Sequence, residues 1–309
     1  MSIDKLKSVF KNVTTCEAWS LQLLQIKNSK KNGTSYCGRE ITLSPKGTLK
    51  NFLTEISNIY SSSEGRLEEK YENVREYDGS TLSNTIYKLN SDNKLISTEY
   101  TELIKAIGNP DSELDLLKFS AKAYVLKGIV TVDSEELSIK LISMKNPITI
   151  LKHKYMHTNG TFKEISNKVI SLRTFIDVVI IDDIIYMLTL DGEKLFNMKR
   201  AYKSICEKQI INIINSNIIN DAEIFSNIAS SRHNPRKFVS FNKSHLSKLE
   251  DAVMRKEIGE KFEIPLDGDK FDMNQQGAAD KLVKLLCDRG MIEPFDDNPI
   301  EVSGAKKWE

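Results

Sequence analysis

The sequence has little that would tie it to the extracellular space or to a bilayer. Its four cysteines, Cys16, Cys37, Cys206 and Cys287, stand far apart and form no CxxC. They read as the reduced thiols of a cytosolic protein. The opening MSIDKLKSVFK lacks the apolar core of a signal peptide. No apolar run reaches the roughly 18 residues that a membrane span needs, and the longest, residues 175–190, is interrupted by Asp177, Asp182 and Asp183. Net charge is nearly absent, with 44 basic against 43 acidic residues. The overall balance calls for no nucleic-acid or membrane partner, although a local patch carries its own field. There is no G-x-x-x-x-G-K-[ST], no G-x-G-x-x-G after a strand and no G-x-S-x-G. No cofactor and no metal is expected.

What the chain does have is a 309-residue length and 40% hydrophobic residues, enough for about two domains with a real core. Its clearest unit spans residues 171–208. Two apolar runs, 175–181 and 184–190, meet at Asp182-Asp183, and an Asp pair between β-branched runs predicts a tight hairpin. Past Asp191-Gly192 the spacing of Leu195, Met198 and Tyr202 predicts a basic amphipathic helix over 194–208. Upstream, a strand is expected over 19–26 and a helix from the Ser44-Pro45 start signal. A short strand over 72–78 and helices over 81–89 and 97–108 follow. From about residue 117 the period moves toward two, giving strands over 119–131, 137–144 and 148–154, with Asn159-Gly160 as a turn. After residue 190 helices are expected over 194–216, 221–230, 244–262 and 275–289, then a small hairpin through Asp296-Asp297-Asn298-Pro299. This is an α+β protein: an N-terminal α/β region (1–115), a central, mostly antiparallel β-rich region (116–192) and a helical C-terminal region (193–309).

The strongest chemical signal is the basic segment 230–256. It carries Arg232, Arg236, Lys237, Lys243, Lys248, Arg255 and Lys256 against only Glu250 and Asp251, with Lys199 and Arg200 upstream. Such cations neutralise phosphates, and Phe238 and Phe241 are placed to stack on bases if they are exposed. The competing reading is a solvated helix face with both phenylalanines in the core. Pro235 biases Asn234 away from helical backbone, so Arg232, Arg236 and Lys237 are expected at an irregular corner. Lys248 and Arg255, seven apart, are expected on one helix face. The seven residues together form the expected DNA-binding track.

Other constellations are weaker. His153 and His157 have zinc-helix spacing but lack the glutamate of H-E-x-x-H. Asp267, Asp269 and Asp272 are similar to a calcium loop without its glycine and final glutamate, and read as a turn before a helix. A metal-dependent nuclease needs a strand carboxylate and an E-x-K. Asp177, Asp182 and Asp183 offer the first, but Glu68-Glu69-Lys70 lies far upstream. Cys206 reads as a buried structural cysteine. The isoleucines of QIINIINSNII lie on more than one helical face, which predicts cover by a partner copy or by the rest of the chain.

The hairpin FIDVVIIDDIIYML, the EKLF segment after it, the basic stretch and the ending KLLCDRGMIEPFDDNPIEVSG together resemble the KwaB-like family of the Kiwa anti-phage defence systems. The resemblance covers about residues 163–304. It implies a non-catalytic DNA-binding protein beside a multi-spanning membrane partner of the KwaA type. It also implies recruitment from the cytoplasm to the inner membrane to meet incoming phage DNA. A homodimer is expected from the isoleucines of 210–219. A nuclease, or an interaction scaffold that meets an acidic protein or lipid headgroups, are the alternatives.

Overall fold

In the computed structural model, residues 2–15, 18–29, 33–44, 47–111, 119–150, 155–164, 168–231, 233–294 and 296–303 are described. They form two compact units: residues 1–76 with 83–197, and residues 77–82 with 198–309.

The first unit opens with α1 (Ile3–Asn12), capped by Ser2, whose hydroxyl accepts from the Lys5 backbone N–H. Then come β1 (Ser20–Ser29), β2 (Gly33–Ile41), α2 (Thr48–Ser61), α3 (Arg66–Glu69), β3 (Asn73–Glu76), β4 (Thr85–Asn90) and α4 (Ser97–Gly108). β5 (Ala123–Val132), β6 (Glu135–Ser143), β7 (Ile148–Ile150), β8 (Tyr155–Thr158), β9 (Thr161–Glu164) and β10 (Lys168–Ile170) follow. The unit closes with β11 (Val178–Ile181), β12 (Ile184–Met187) and α5 (Gly192–Leu195). Eight strands make one sheet in the order β2-β1-β5-β6-β11-β12-β4-β3, antiparallel throughout except for the parallel β3–β4 pair. The N-terminal and central strands thus share one sheet, and the α+β reading holds. Register sets Leu21, Leu126, Leu141, Val179 and Tyr186 in one row across five strands. That face packs under Leu6, Val9 and Phe10 of α1, Leu53, Ile56 and Tyr60 of α2 and Leu67 of α3. Phe10 stacks on Tyr60 with ring centroids 4.4 Å apart. Every residue of β11 is buried, so both faces of the sheet are covered at its centre.

The expected hairpin is present, with Ile181 opposite Ile184 and Asp182 at φ 52°. Asn159-Gly160 turns the β8–β9 hairpin with positive φ at both residues. Three expectations are corrected. Residues 81–89 are no helix: Leu82, Ile86 and Leu89 mimic helical spacing, but the residues of β4 pair with β12 on one side and β3 on the other. Thr85, Ile86 and Tyr87 are also strand formers and all buried. The helix over 194–208 is broken at Asn197, which takes φ 47°. The helix expected from Ser44-Pro45 starts at Thr48 behind Gly47, at φ 94°; Pro45 lies outside the described residues.

The second unit is helical. It holds α6 (Met198–Asn215), α7 (Ala222–Ala229), α8 (Asn234–Lys237), α9 (Lys243–Leu249), α10 (Ala252–Lys261), the two-residue strands β13 (Leu266–Asp267) and β14 (Lys270–Phe271), α11 (Ala278–Leu286) and the hairpin β15 (Gly290–Ile292) with β16 (Pro299–Glu301). Its core gathers Ile210, Ile213, Ile218, Phe225, Phe238, Phe271, Leu282, Val283 and Leu286. The helix expected over 244–262 is two helices. Asp251 stops the first and caps the second, its carboxylate accepting from the N–H groups of Val253 (2.7 Å) and Met254 (3.1 Å).

Candidate nucleic-acid interface

The basic segment divides once its side chains are placed. Arg232 lies outside the described residues. The corner expected at Asn234-Pro235 is a single helical turn, α8. Proline in a first turn has no intrahelical donor to lose, and the buried Asn234 donates its side-chain amide to the Ile228 carbonyl at 3.0 Å. Arg236 is half-buried, its guanidinium 5.8 Å from the centre of the Tyr202 ring. Lys237 reaches Glu301 at 3.1 Å and Asp280 at 3.9 Å. Arg255 is buried: it donates to the carbonyls of Asp269 (2.7 Å) and Leu249 (2.5 Å). The break at Asp251 removes the shared helix face expected for Lys248 and Arg255. Arg255 thus ties α10 to the β13–β14 turn and the end of α9.

Lys243, Lys248 and Lys256 are exposed, and among the described residues no ion pair engages them. Lys199, Arg200 and Lys203 on the first turns of α6 are exposed in the same way. Lys203 stands four residues from Lys199 and three from Arg200, which puts the three on one side of the helix. Phe238 is fully buried and stacks on half-buried Phe241 with centroids 6.1 Å apart, so Phe238 is a core residue with no face for a base.

Lys237 belongs to a four-membered network that the sequence reading missed. Lys284 lies 2.7 Å from Asp280 and 3.0 Å from Glu301, and the two carboxylates in turn reach Lys237. The Asp280–Lys284 half is visible in sequence as an i, i+4 pair; Glu301 is not. Partial burial works against ionisation of Asp280, Glu301 and Lys284, but the mutual hydrogen bonds outweigh it. Both carboxyls are held below their ordinary range and the Lys284 amine above its own. A carboxyl held low adds stability that is present above its unfolded pKa and is lost as pH falls through the folded value. Lys284 loses its share only as pH rises past the ordinary amine range. Between about pH 6 and about pH 3 the thermal midpoint of the protein should therefore fall more steeply than that of Glu301→Gln, and the two curves should converge at the acid end. Parallel curves would show that the network contributes nothing.

The carboxylates weighed for a metal centre are committed elsewhere. Asp177 is buried; its oxygens accept from the Met144 N–H at 2.7 Å and the Thr189 hydroxyl at 2.6 Å. Asp182 accepts from the Ser138 N–H at 3.1 Å and Asp183 from the Tyr100 hydroxyl at 3.1 Å. Glu68 pairs with Lys7. Removing the Asp177 carboxylate leaves the Met144 N–H without its acceptor, so Asp177→Ala should cost about 1–3 kcal/mol, read from the urea midpoint of the first unit. An unchanged midpoint would mean that water replaces the carboxylate.

Asp267 ends β13 and Asp269 lies in the β13–β14 turn. Asp272 accepts from Asn220 at 2.9 Å, with Gln275 and Asn274, and these bonds hold its carboxyl down at about 2. The expected turn before a helix is present. His157 lies on a strand, β8, and His153 lies outside the described residues. Cys206 is buried, its thiol pushed up to about 12 by burial and by Glu207, far from an activated thiolate. Ile210, Ile213, Ile218 and Ile219 are buried within the second unit and only Ile211 stands 57% exposed. The isoleucines therefore supply no argument for a second copy.

Comparison with known proteins gives one family. The model described as Kiwa protein KwaB-like matches residues 129–292, more than half of the chain. No curated protein matches, and no solved structure matches.

Proposed function

Since the chain belongs to the KwaB-like family and so to Kiwa anti-phage defence, we propose that it binds DNA without a chemistry of its own, beside a membrane partner of the KwaA type. One observation carries the reading: the basic side chains of the second unit divide by role. Lys237 and Arg255 are taken up by internal partners, whereas Lys243, Lys248 and Lys256, with Lys199, Arg200 and Lys203, are exposed. Solvated cations of this kind meet phosphates at little desolvation cost and read no bases, so the binding is sequence-independent. The hairpin carboxylates support binding over hydrolysis, since Asp177 and the Asp182-Asp183 pair stand at opposite ends of β11, each in its own hydrogen bond. Among the described residues no helix is long and apolar enough to cross a membrane, so a place at the membrane falls to the partner.

The test is a mobility shift with and without magnesium, on the full chain and on Lys243→Glu, Lys248→Glu, Lys256→Glu. The triple variant should bind unrelated duplexes more weakly by a common factor. Its dependence of log affinity on log salt should be shallower by about 0.9 for each phosphate that the variant no longer neutralises. Unchanged affinity in a folded triple variant would move the interface off these lysines. Magnesium-dependent nicking would replace the reading with a nuclease, and no shift at all with an interaction scaffold.

A further inference from the structure

The second unit contains a cleft of about 470 Å³ that the exposed lysines do not account for. Residues 79–81 form one part of its wall; His233, Arg236 and Lys237 form another, and Arg289 with residues 301–303 completes it. The wall is built tightly. Gly79 takes φ +82°, and a Cβ there would come within 2.5 Å of the Arg236 carbonyl oxygen, so this segment lies directly on α8. The Asp78 carboxylate accepts from the Ser80 N–H at 2.9 Å and fixes the turn. Arg289, 4% exposed, donates to the Asp78 carbonyl at 2.8 Å and to the Ser303 carbonyl, with the Asp78 carboxylate 3.5 Å away. It is a fixed charge in the wall.

Four basic side chains, His233, Arg236, Lys237 and Arg289, line the cleft with one carboxylate, Glu301, among them; Asp78 and Asp280 engage Arg289 and Lys237 from outside it. The Glu301 carboxylate sits 3.1 Å from Lys237 and 3.0 Å from Lys284, one oxygen on each amine. This is the way lysines hold a phosphoryl group. The Glu301 oxygens stand where the oxygens of an oxyanion would, and they come from the last residue of a two-stranded hairpin. The cleft is larger than a phosphate ion needs and lies in the range of small-molecule sites.

We propose that this cleft binds a phosphate monoester the size of a nucleotide, its phosphoryl group taken by Arg236 and Lys237 and displacing the carboxylate of Glu301. The exposed Thr81 of the wall is a further donor to it. The same group exists on a free nucleotide and on the 5′ end of a DNA strand. The site does not depend on the exposed lysines, so a failure of sequence-independent DNA binding leaves it standing.

The experiment is titration calorimetry on the full chain with four probes: AMP, adenosine, and one short duplex with and without a 5′-phosphate. At least one phosphate monoester should bind saturably beyond its unphosphorylated counterpart: AMP where adenosine gives no heat, or the phosphorylated duplex more tightly than the unphosphorylated one, whose binding through the exposed lysines is the baseline. Saturation by AMP assigns the site to free nucleotides; saturation by the phosphorylated duplex alone assigns it to strand ends. Arg236→Ala should weaken the bound probe about tenfold or more, the loss of one charge-assisted hydrogen bond. Glu301→Gln, which removes the competing charge, should strengthen it several-fold. His233→Ala, a change at an exposed lining residue, should weaken binding and keeps the test open if Arg236→Ala does not fold. AMP that binds no better than adenosine, together with a phosphorylated duplex that binds no better than the unphosphorylated one, overturns the proposal. So do Arg236→Ala and His233→Ala variants that bind as tightly as the parent. Weaker binding in Glu301→Gln overturns the displacement.

Discussion

Replacing Arg255 by methionine should lower the stability of the second unit by about 2–4 kcal/mol and leave DNA affinity of the folded variant unchanged. The sequence places Arg255 in a basic track; the structure buries it, 6% exposed, with hydrogen bonds to the carbonyls of Asp269 and Leu249. Methionine keeps much of the volume and removes both donors, so the destabilisation reports two buried carbonyls left without partners. The ion pair with Asp269 adds little, because that carboxylate is 72% exposed and lies 3.7 Å away. Urea unfolding followed by circular dichroism reads the first half, and a mobility shift in buffer without denaturant reads the second. A variant as stable as the parent that no longer binds DNA would return Arg255 to the interface. This also changes the meaning of charge reversal at Lys237. A glutamate there meets Glu301 and Asp280, so Lys237→Glu reports repulsion inside the fold as well as any weaker hold on a phosphate.

A fragment comprising residues 198–309 should fail to unfold cooperatively, although it holds every helix of the second unit. The missing part is residues 77–82, which belong to that unit. Tyr77 is buried, with its hydroxyl 2.5 Å from that of Tyr202. Asp78 supplies both a carbonyl and a carboxylate to Arg289. Without Asp78 a buried guanidinium is left without its countercharge, at a cost of about 3–5 kcal/mol against a total domain stability of about 5–15 kcal/mol. Gly79→Ala in the full chain is the milder version: it forces a side chain into left-handed backbone and against the Arg236 carbonyl. It should destabilise the second unit measurably and the sheet of the first unit little. A fragment with a sharp urea transition at the midpoint of the intact protein would show that the segment is dispensable.

Much of the architecture was written locally. The Asp182-Asp183 and Asn159-Gly160 turns, the strands around them, the helix over 97–108 and the closing hairpin follow from turn chemistry and side-chain period. These act between near neighbours in the chain, and the KwaB-like resemblance rests on the same local stretches. Tertiary structure decided the rest. Residues 81–89 carry a helical spacing of apolar residues, yet strands lie on both sides of β4 and take its backbone bonds. The run of basic residues from Arg232 to Lys256 looks uniform in sequence, because a one-dimensional charge pattern does not say which cation will meet a carboxylate or a carbonyl. Glu301 reaches Lys237 across 64 positions of chain, and Asp78 reaches Arg289 across 211. Such partners are chosen when distant elements pack, since burial of a charge demands compensation wherever in the chain it is found. Composition and local pattern therefore determined that this is an α+β protein with a cation-rich helical end. Only packing decided which of those cations hold the fold together and which face solvent.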